Sequence, residues 1–404
     1  MKKMLGVILL GMLITLFAGC SSSSSSSIPT TFTISGTVRG SFAANVTINL
    51  TSGVTTSTKT ASDGTYSFTG LGNGFYTVTP VLTGYTFIPV SQEVIINGAN
   101  VTGQIFAETL NSPTQYFGMW TWVSGPNTSN QAGSYGTIGD AATGNVPGAR
   151  SGSVSWIDSS GNLWLFGGSG YDSAGNIDLL NDLWKFDGTN WTWVSGSKTY
   201  GQAGSYGKQG SAAVGNVPGA RSGSVSWIDS HGYLWLFGGW GWDYAGNVSF
   251  LNDLWKFDSV NVNWTWVNGS KTSNQAGSCG TKGVAATGNV PGARQYSISW
   301  IDSSDNLWLF GGSGYDSAGD TGYLNDLWKF DGANWTWVSG FNIYGQAGSY
   351  GTKGSAAMGN VPGARVESVS WIDSSGNLWL FGGFGYDSAG NVADYLNDLW
   401  RYQP

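Results

Sequence analysis

The hexapeptide NVPGAR occurs four times in this 404-residue chain, at Pro147, Pro218, Pro291 and Pro362, so the sequence repeats every 71, 73 and 71 residues. Each unit runs in the same order. In the first, SVSWID (Ser153–Asp158) leads through a turn to NLWLFGG (Asn162–Gly168). A DSAGN loop follows, then LNDLWKFD (Leu180–Asp187), a tight turn, and NWTWVSG (Asn190–Gly196). Apolar residues alternate with polar ones in each run, and Gly, Asn and Asp punctuate the breaks, which predicts four short strands per unit.

Four-stranded units at a fixed period predict the blades of a β-propeller. The Gly-Gly doublet closing each second strand, with LNDLW and a further Trp after it, resembles the kelch repeat over residues 115–404. Kelch units run about 50 residues; the excess here lies in the segment between the fourth strand and the next first strand. The first WTWVSG (Trp120–Gly125) precedes any first strand, and the last copy stops after LNDLWRYQP. These fragments complement one another, predicting four four-stranded blades in one ring, the last blade closed by the N-terminal strand.

Residues 31–108 read differently. TFTISGTV, VTINLT, TYSFTGL, FYTVTPV and EVIING alternate between turn signals such as SDG and GNG, predicting about seven strands in a small β-sandwich. This stretch resembles the carboxypeptidase-regulatory-like domain, a transthyretin-like sandwich that commonly serves as a spacer. The predicted class is therefore all-β throughout.

Ahead of it, Lys2 and Lys3 precede an apolar run from Met4 to Phe17, too short to span a bilayer, ending in LFAGC. This resembles a bacterial lipoprotein signal (residues 1–19), which implies lipid on Cys20, and Ser21 after it implies the outer membrane or cell surface. The serine run within residues 20–30 then reads as a flexible tether. Cys279 is the other cysteine, so no disulfide framework is expected. It occupies GSCGT where sister copies have GSYGT, the mark of a substituted tyrosine position.

Charged residues are 10% of the chain and the net charge is −7 with no basic block, which argues against a nucleic-acid partner. The single histidine, His231, sits in a predicted hairpin turn. Kelch propellers include copper enzymes of the galactose oxidase type, whose metal site needs two histidines, so that activity is not expected. Acids such as Asp158 and Asp182, and arginines such as Arg150, recur in every unit. That recurrence suits turns and ties between blades better than an active site. Asp178 and Asp394 are not repeated, and their convergence on a pocket would favour catalysis.

One loop stands apart. GGWGWDYAGN, from Gly238, replaces GGSGYDSAGN and its variants. Trp240, Trp242 and Tyr244 are expected in the loop between second and third strands, on a face built up by long loops. With Asp243 they form the candidate ligand site, suited to stacking on sugars. Asp172, Asp243, Asp316 and Asp387 are candidate calcium ligands, though their spacing is not that of an EF-hand; no other cofactor is implied. The expected function is a non-catalytic, lipid-anchored surface protein binding a glycan or a protein partner. The alternatives are a propeller enzyme acting on sugars, of a mutarotase or epimerase kind, and a purely structural surface protein.

Overall fold

The computed structural model describes residues 31–40, 43–110, 120–391 and 394–404, and every regular element among them is a β-strand. The signal segment, Cys20 and the serine tether lie outside the described residues. The chain divides into two compact units between Thr121 and Trp122.

The first unit has two four-stranded sheets. One orders Thr65–Leu71, Phe32–Arg39, Val101–Leu110 and Tyr85–Ile88; the other orders Val54–Lys59, Thr47–Ser52, Gly74–Val81 and Gln92–Ile96. Alternate residues point inward, so Ile34, Val38 and Phe106 from one sheet meet Ile48, Val78 and Val94 from the other in one buried core.

The second unit repeats a single sheet. Its first copy pairs Val154–Ile157, Leu163–Tyr171, Ile177–Phe186 and Trp191–Ser195 in sequence order, all antiparallel. The second and third copies match it strand for strand, and consecutive sheets pack face to face around tryptophan-rich cores. The Gly-Gly doublet makes this packing feasible. Gly167 has φ +64°, and a Cβ there would lie 2.8 Å from the Arg221 carbonyl of the next sheet and 3.0 Å from the Leu180 carbonyl of its own. Only glycine lets the backbones come so close.

Each sheet is organised by one carboxylate, buried in the first three and half-buried in the fourth. In the second copy, Arg221 donates two hydrogen bonds of 2.7 and 2.6 Å to Asp253, and Tyr206 and Trp255 each donate another at 2.6 Å. Arg221 also donates to the carbonyls of Gly219 and Gly238, so its guanidinium bolts the NVPGAR segment to the doublet. Asp182 with Arg150, Tyr135 and Trp184, and Asp398 with Arg365, Tyr350 and Trp400, repeat the arrangement. In the third copy Cys279 stands where the others have tyrosine. It is buried, and burial pushes its thiol up to about 11, which leaves it a packing group.

Two expectations are corrected. The long segment before each first strand is not a free loop. It runs along the outer edge of the sheet that follows. Gly139 N–H donates to the Trp193 carbonyl, Asn145 Nδ2 to the Trp191 carbonyl, and Tyr135 reaches the core carboxylate. Its extra residues therefore cover an edge that would otherwise be open. Among the described residues the closing strand is also absent. Trp120–Gly125 is not a strand, and the fourth sheet consists of Val369–Ile372, Leu378–Gly385 and Asp394–Tyr402, with Arg365–Val366 extending its inner side. The other fourth strands are delivered by tight turns, such as the one Asp187 organises by accepting from Thr189 and Asn190 N–H. Trp120–Gly125 is remote in sequence from Asp394–Tyr402, and among the described residues no core cluster joins the fourth sheet to the first.

Asp398 offers a test. Burial pushes its carboxyl up, but bonds from Arg365, Trp400 and Tyr350 outweigh that and hold it at about 2. An aspartate in an unfolded chain titrates near about 3.9. Asp398 therefore contributes its full stabilisation above that value, and the contribution is lost as pH falls through about 2. Denaturant titrations from pH 7 to 2 should show wild-type stability falling below pH 4. Asp398→Asn should start less stable and follow a flatter profile in that window.

Candidate functional site

Trp240 and Trp242 lie at the end of the strand Leu234–Trp242, not in the following loop, which is confined to the turn at Asp243–Asn247. The doublet Gly238-Gly239 reads as a turn in sequence. In the structure it is a bulge that the strand passes through, with the register shifting between Phe237 and Gly239. Trp240 pairs with Ser222 on one side and Phe250 on the other.

The two tryptophans share a strand face but differ in surroundings. Trp240 is 36% exposed, and its ring meets Phe250 edge-on at 5.0 Å. Phe250 in turn lies 6.1 Å from Tyr315 of the third sheet. Trp242 is half-buried against the backbone of Gly201, where a Cβ would come 3.4 Å from its ring. Tyr386 stands against Gly345 in the same way, so Trp242 fills a packing position that tyrosine fills elsewhere. Tyr244 is exposed, with Lys271 Nζ 4.4 Å above its ring and Tyr206 edge-on at 6.3 Å.

Asp243 is wholly buried and does not face this surface. One oxygen accepts from Ala245 and Asn247 N–H, the other from Ser273 N–H and Oγ and from Asn247 Nδ2. Burial alone would push its carboxyl up; those donors outweigh it and hold the group below the usual range. Asp172, Asp316 and Asp387 organise their own loops in the same manner. These four carboxylates belong to four different sheets, and their oxygens are already met by N–H donors. Among the described residues no three His, Cys, Asp or Glu side chains come together as a metal cluster.

A second repeated set of acids is similarly committed. Asp158, Asp229, Asp302 and Asp373 each accept a tryptophan indole N–H across their turns. Asp178 accepts from Leu179 N–H and pairs with Gly170 in the first sheet, whereas Asp394 pairs with Gly385 in the fourth. They do not converge. His231 is exposed on its turn, 3.6 Å from Asp305. A shallow cleft of about 260 Å³ is lined by Asn252, Asn268, Gln275 and Thr287 among others, and none of its lining residues is an acid, a base or a histidine. A second cleft, of about 360 Å³, lies in the first unit beside Arg39 and Asp63.

Sequence reasoning missed Phe250, Tyr315 and Lys271 as neighbours of the site. Phe250 was findable: it stands in cross-strand register with Trp240, as Tyr395 does with Phe384. The contact of Phe250 with the next sheet was not.

No family model and no curated protein matches the chain. Among solved structures it is similar to YjhT ("Structure of YjhT") at 13% identity and a TM-score of 0.31, over 82% of this chain and 95% of that one. It is also similar to a "Novel fungal alcohol oxidase with catalytic diversity among the AA5 family, in complex with copper", at 10% identity and a TM-score of 0.29, over 78% of this chain and 53% of that one. Neither likeness is close enough to carry a residue role or an activity across.

The packing role of Trp242 is testable. Trp242→Tyr should change stability by less than about 1 kcal/mol, as a near-native swap, while Trp242→Ala should cost about 2–3 kcal/mol. Trp240→Ala, at a partly exposed position, should stay near the smaller figure. Denaturation midpoints of the three variants check this.

Proposed function

We propose that this protein is a non-catalytic binding protein held at the outer membrane or cell surface by lipid on Cys20. In this reading the first unit is a transthyretin-like sandwich acting as a spacer, and the second is a kelch-like propeller. The bound partner is a glycan, met by the aromatic surface around Trp240. The observation that carries the reading is the contrast between two residue sets on one scaffold. The repeated carboxylates are spent on hydrogen bonds within the fold, whereas Trp240 and Tyr244 leave ring surface in water. An exposed indole offers a flat apolar face to sugar C–H groups together with an N–H donor. The neutral amide and hydroxyl lining of the nearby cleft suits hydroxyl recognition and provides no general acid or base.

The test is a glycan panel probed with the full chain, with and without calcium, beside Trp240→Ala and Tyr244→Ala. Binding to at least one glycan should weaken about two- to tenfold in Trp240→Ala with an unchanged melting temperature, since a stacking contact contributes about 0.5–1.5 kcal/mol. Absence of binding by the wild type, or binding indifferent to both substitutions, would overturn the glycan reading. A calcium requirement would reopen the role of Asp243.

A further inference from the structure

The two ends of the repeat array are unlike its interior, and they match each other. Within the array, the face of one sheet that meets the next carries Val154, Trp156, Phe166 and Leu183, all buried; their counterparts in the second and third sheets are buried as well. In the fourth sheet the same positions are Val369, Trp371, Phe381 and Leu399, exposed by 51%, 53%, 41% and 58%. At the other end, Leu163 of the first sheet is 42% exposed, while its counterparts Leu234, Leu307 and Leu378 are buried under the preceding sheet. One end thus presents the donor face of a sheet-to-sheet interface already formed three times, and the other end presents its receptor.

Three further observations show that the fourth sheet is shaped for a successor. Gly382 has the left-handed φ of +61° found at Gly167, Gly238 and Gly311. The last three need glycine because an arginine carbonyl of the next sheet lies within 2.9 Å of the place a Cβ would occupy; beside Gly382 no next sheet supplies one. Near the inner strands, backbone bonds link neighbouring sheets in series. Gly223 N–H donates to Gly152, Tyr296 N–H to Gly223 and Glu367 N–H to Tyr296, so the series starts at Gly152 and stops at Glu367. The outer edge is unfinished too. Asn145, Asn216 and Asn289 each give one amide bond to their own segment and a second to the carbonyl of a fourth-strand tryptophan: Trp191, Trp264 or Trp335. Asn360 makes the first bond, to Ser355, and among the described residues the fourth sheet has no fourth strand to take the second.

The missing strand has a known sequence. WTWVSG at Trp191–Gly196 and Trp335–Gly340 recurs at Trp120–Gly125, where Trp120 is fully exposed and Trp122 is 67% exposed. By the register of Trp191, Thr192 and Trp193 against Phe186, Lys185 and Trp184, this segment would pair Trp120 with Tyr402, Thr121 with Arg401 and Trp122 with Trp400.

We infer that two copies of this chain join head to tail in one ring of eight sheets, each inserting its Trp120–Gly125 as the fourth strand of the other's last sheet. The three interfaces within a chain set the rotation from sheet to sheet, and after four sheets that rotation leaves both end faces exposed. Four more sheets from a second copy bring the count to eight, within the range of about four to eight over which propellers close. The contact is heterologous, using two different faces of each copy, and two copies close it into a ring when each four-sheet chain turns through half a circle. This inference is independent of the ligand reading.

The test uses two full-length forms with different tags, each with one added cysteine: one carries Thr121→Cys and the other Arg401→Cys. The two are coexpressed and oxidised. Directly opposed cross-strand positions place Cβ atoms about 4.5–5.5 Å apart, within reach of a disulfide after small adjustment. A doubly tagged, reducible product at twice the 42.6 kDa chain mass is expected. Trp371→Asp should abolish that product while leaving the chain's circular dichroism unchanged, because Trp371 is half exposed in a single chain. Three results would overturn the inference: no cross-linked product; a product that survives Trp371→Asp; or a Thr121→Cys/Arg401→Cys double variant that cross-links only within itself, which would show a single chain closing its own ring.

Discussion

The second unit depends on the pairing of one arginine with one aspartate inside each sheet. Arg221 and Arg294 are 1% exposed, and their partners Asp253 and Asp326 are buried as well. Placing such charges out of water is costly, and they persist only where every lone pair and proton finds a partner. Here the carboxylate receives the guanidinium fork, a tryptophan indole and, in three sheets, a tyrosine hydroxyl. The guanidinium in turn reaches one carbonyl in the NVPGAR segment and one in the close-packed glycine doublet, Gly219 and Gly238 in the second copy. The pair thereby fixes the position of the doublet, and the doublet fixes how near the next sheet can come. Sheet-to-sheet packing, inter-sheet tryptophan contacts and the alignment of the inner strands all follow from that spacing.

This dependence explains why a chain so poor in charge keeps the charges it has. An acid that appears in every repeat is committed to the architecture: one set to the core pairs, one set to the tryptophan-bearing turns and one set to the short loops after the second strands. What remains for recognition is aromatic and amide chemistry, concentrated where the second copy departs from its sisters. The same departures occur to a lesser degree at Phe384, Tyr323 and Tyr395, so the aromatic surface belongs to several sheets and is richest around Trp240.

Much of the fold was legible in the sequence because it is written in alternation. Val154–Ile157 and the start of Leu163–Tyr171 bury every second residue, and the repeat frame located their sisters even where burial is continuous, as in residues 234–239. The long segment was misjudged for a physical reason: it attaches by single bridges such as Ala213 to Trp264 and by side-chain donors such as Asn145, which leave no periodic trace. The strand end at Trp240 and Trp242 was hidden by glycines that mark a bulge here and a turn elsewhere. Asp243 was placed correctly in sequence, but its burial under Ser273, thirty residues away, is a tertiary fact that no local pattern carries. The role of Cys279 as a substituted tyrosine was legible because three sisters show the residue that belongs there.

The most direct measurement is a double-mutant cycle on Arg294 and Asp326, using Arg294→Leu, Asp326→Leu and the combined variant in chemical denaturation. If the buried pair is the unit that organises each sheet, either single change should cost about 3–5 kcal/mol by stranding a buried charge. The double variant should then cost several kcal/mol less than the sum of the singles. Additive losses would contradict this, showing two residues that stabilise the sheet separately and leaving the glycine turns and tryptophan cores to set the spacing on their own.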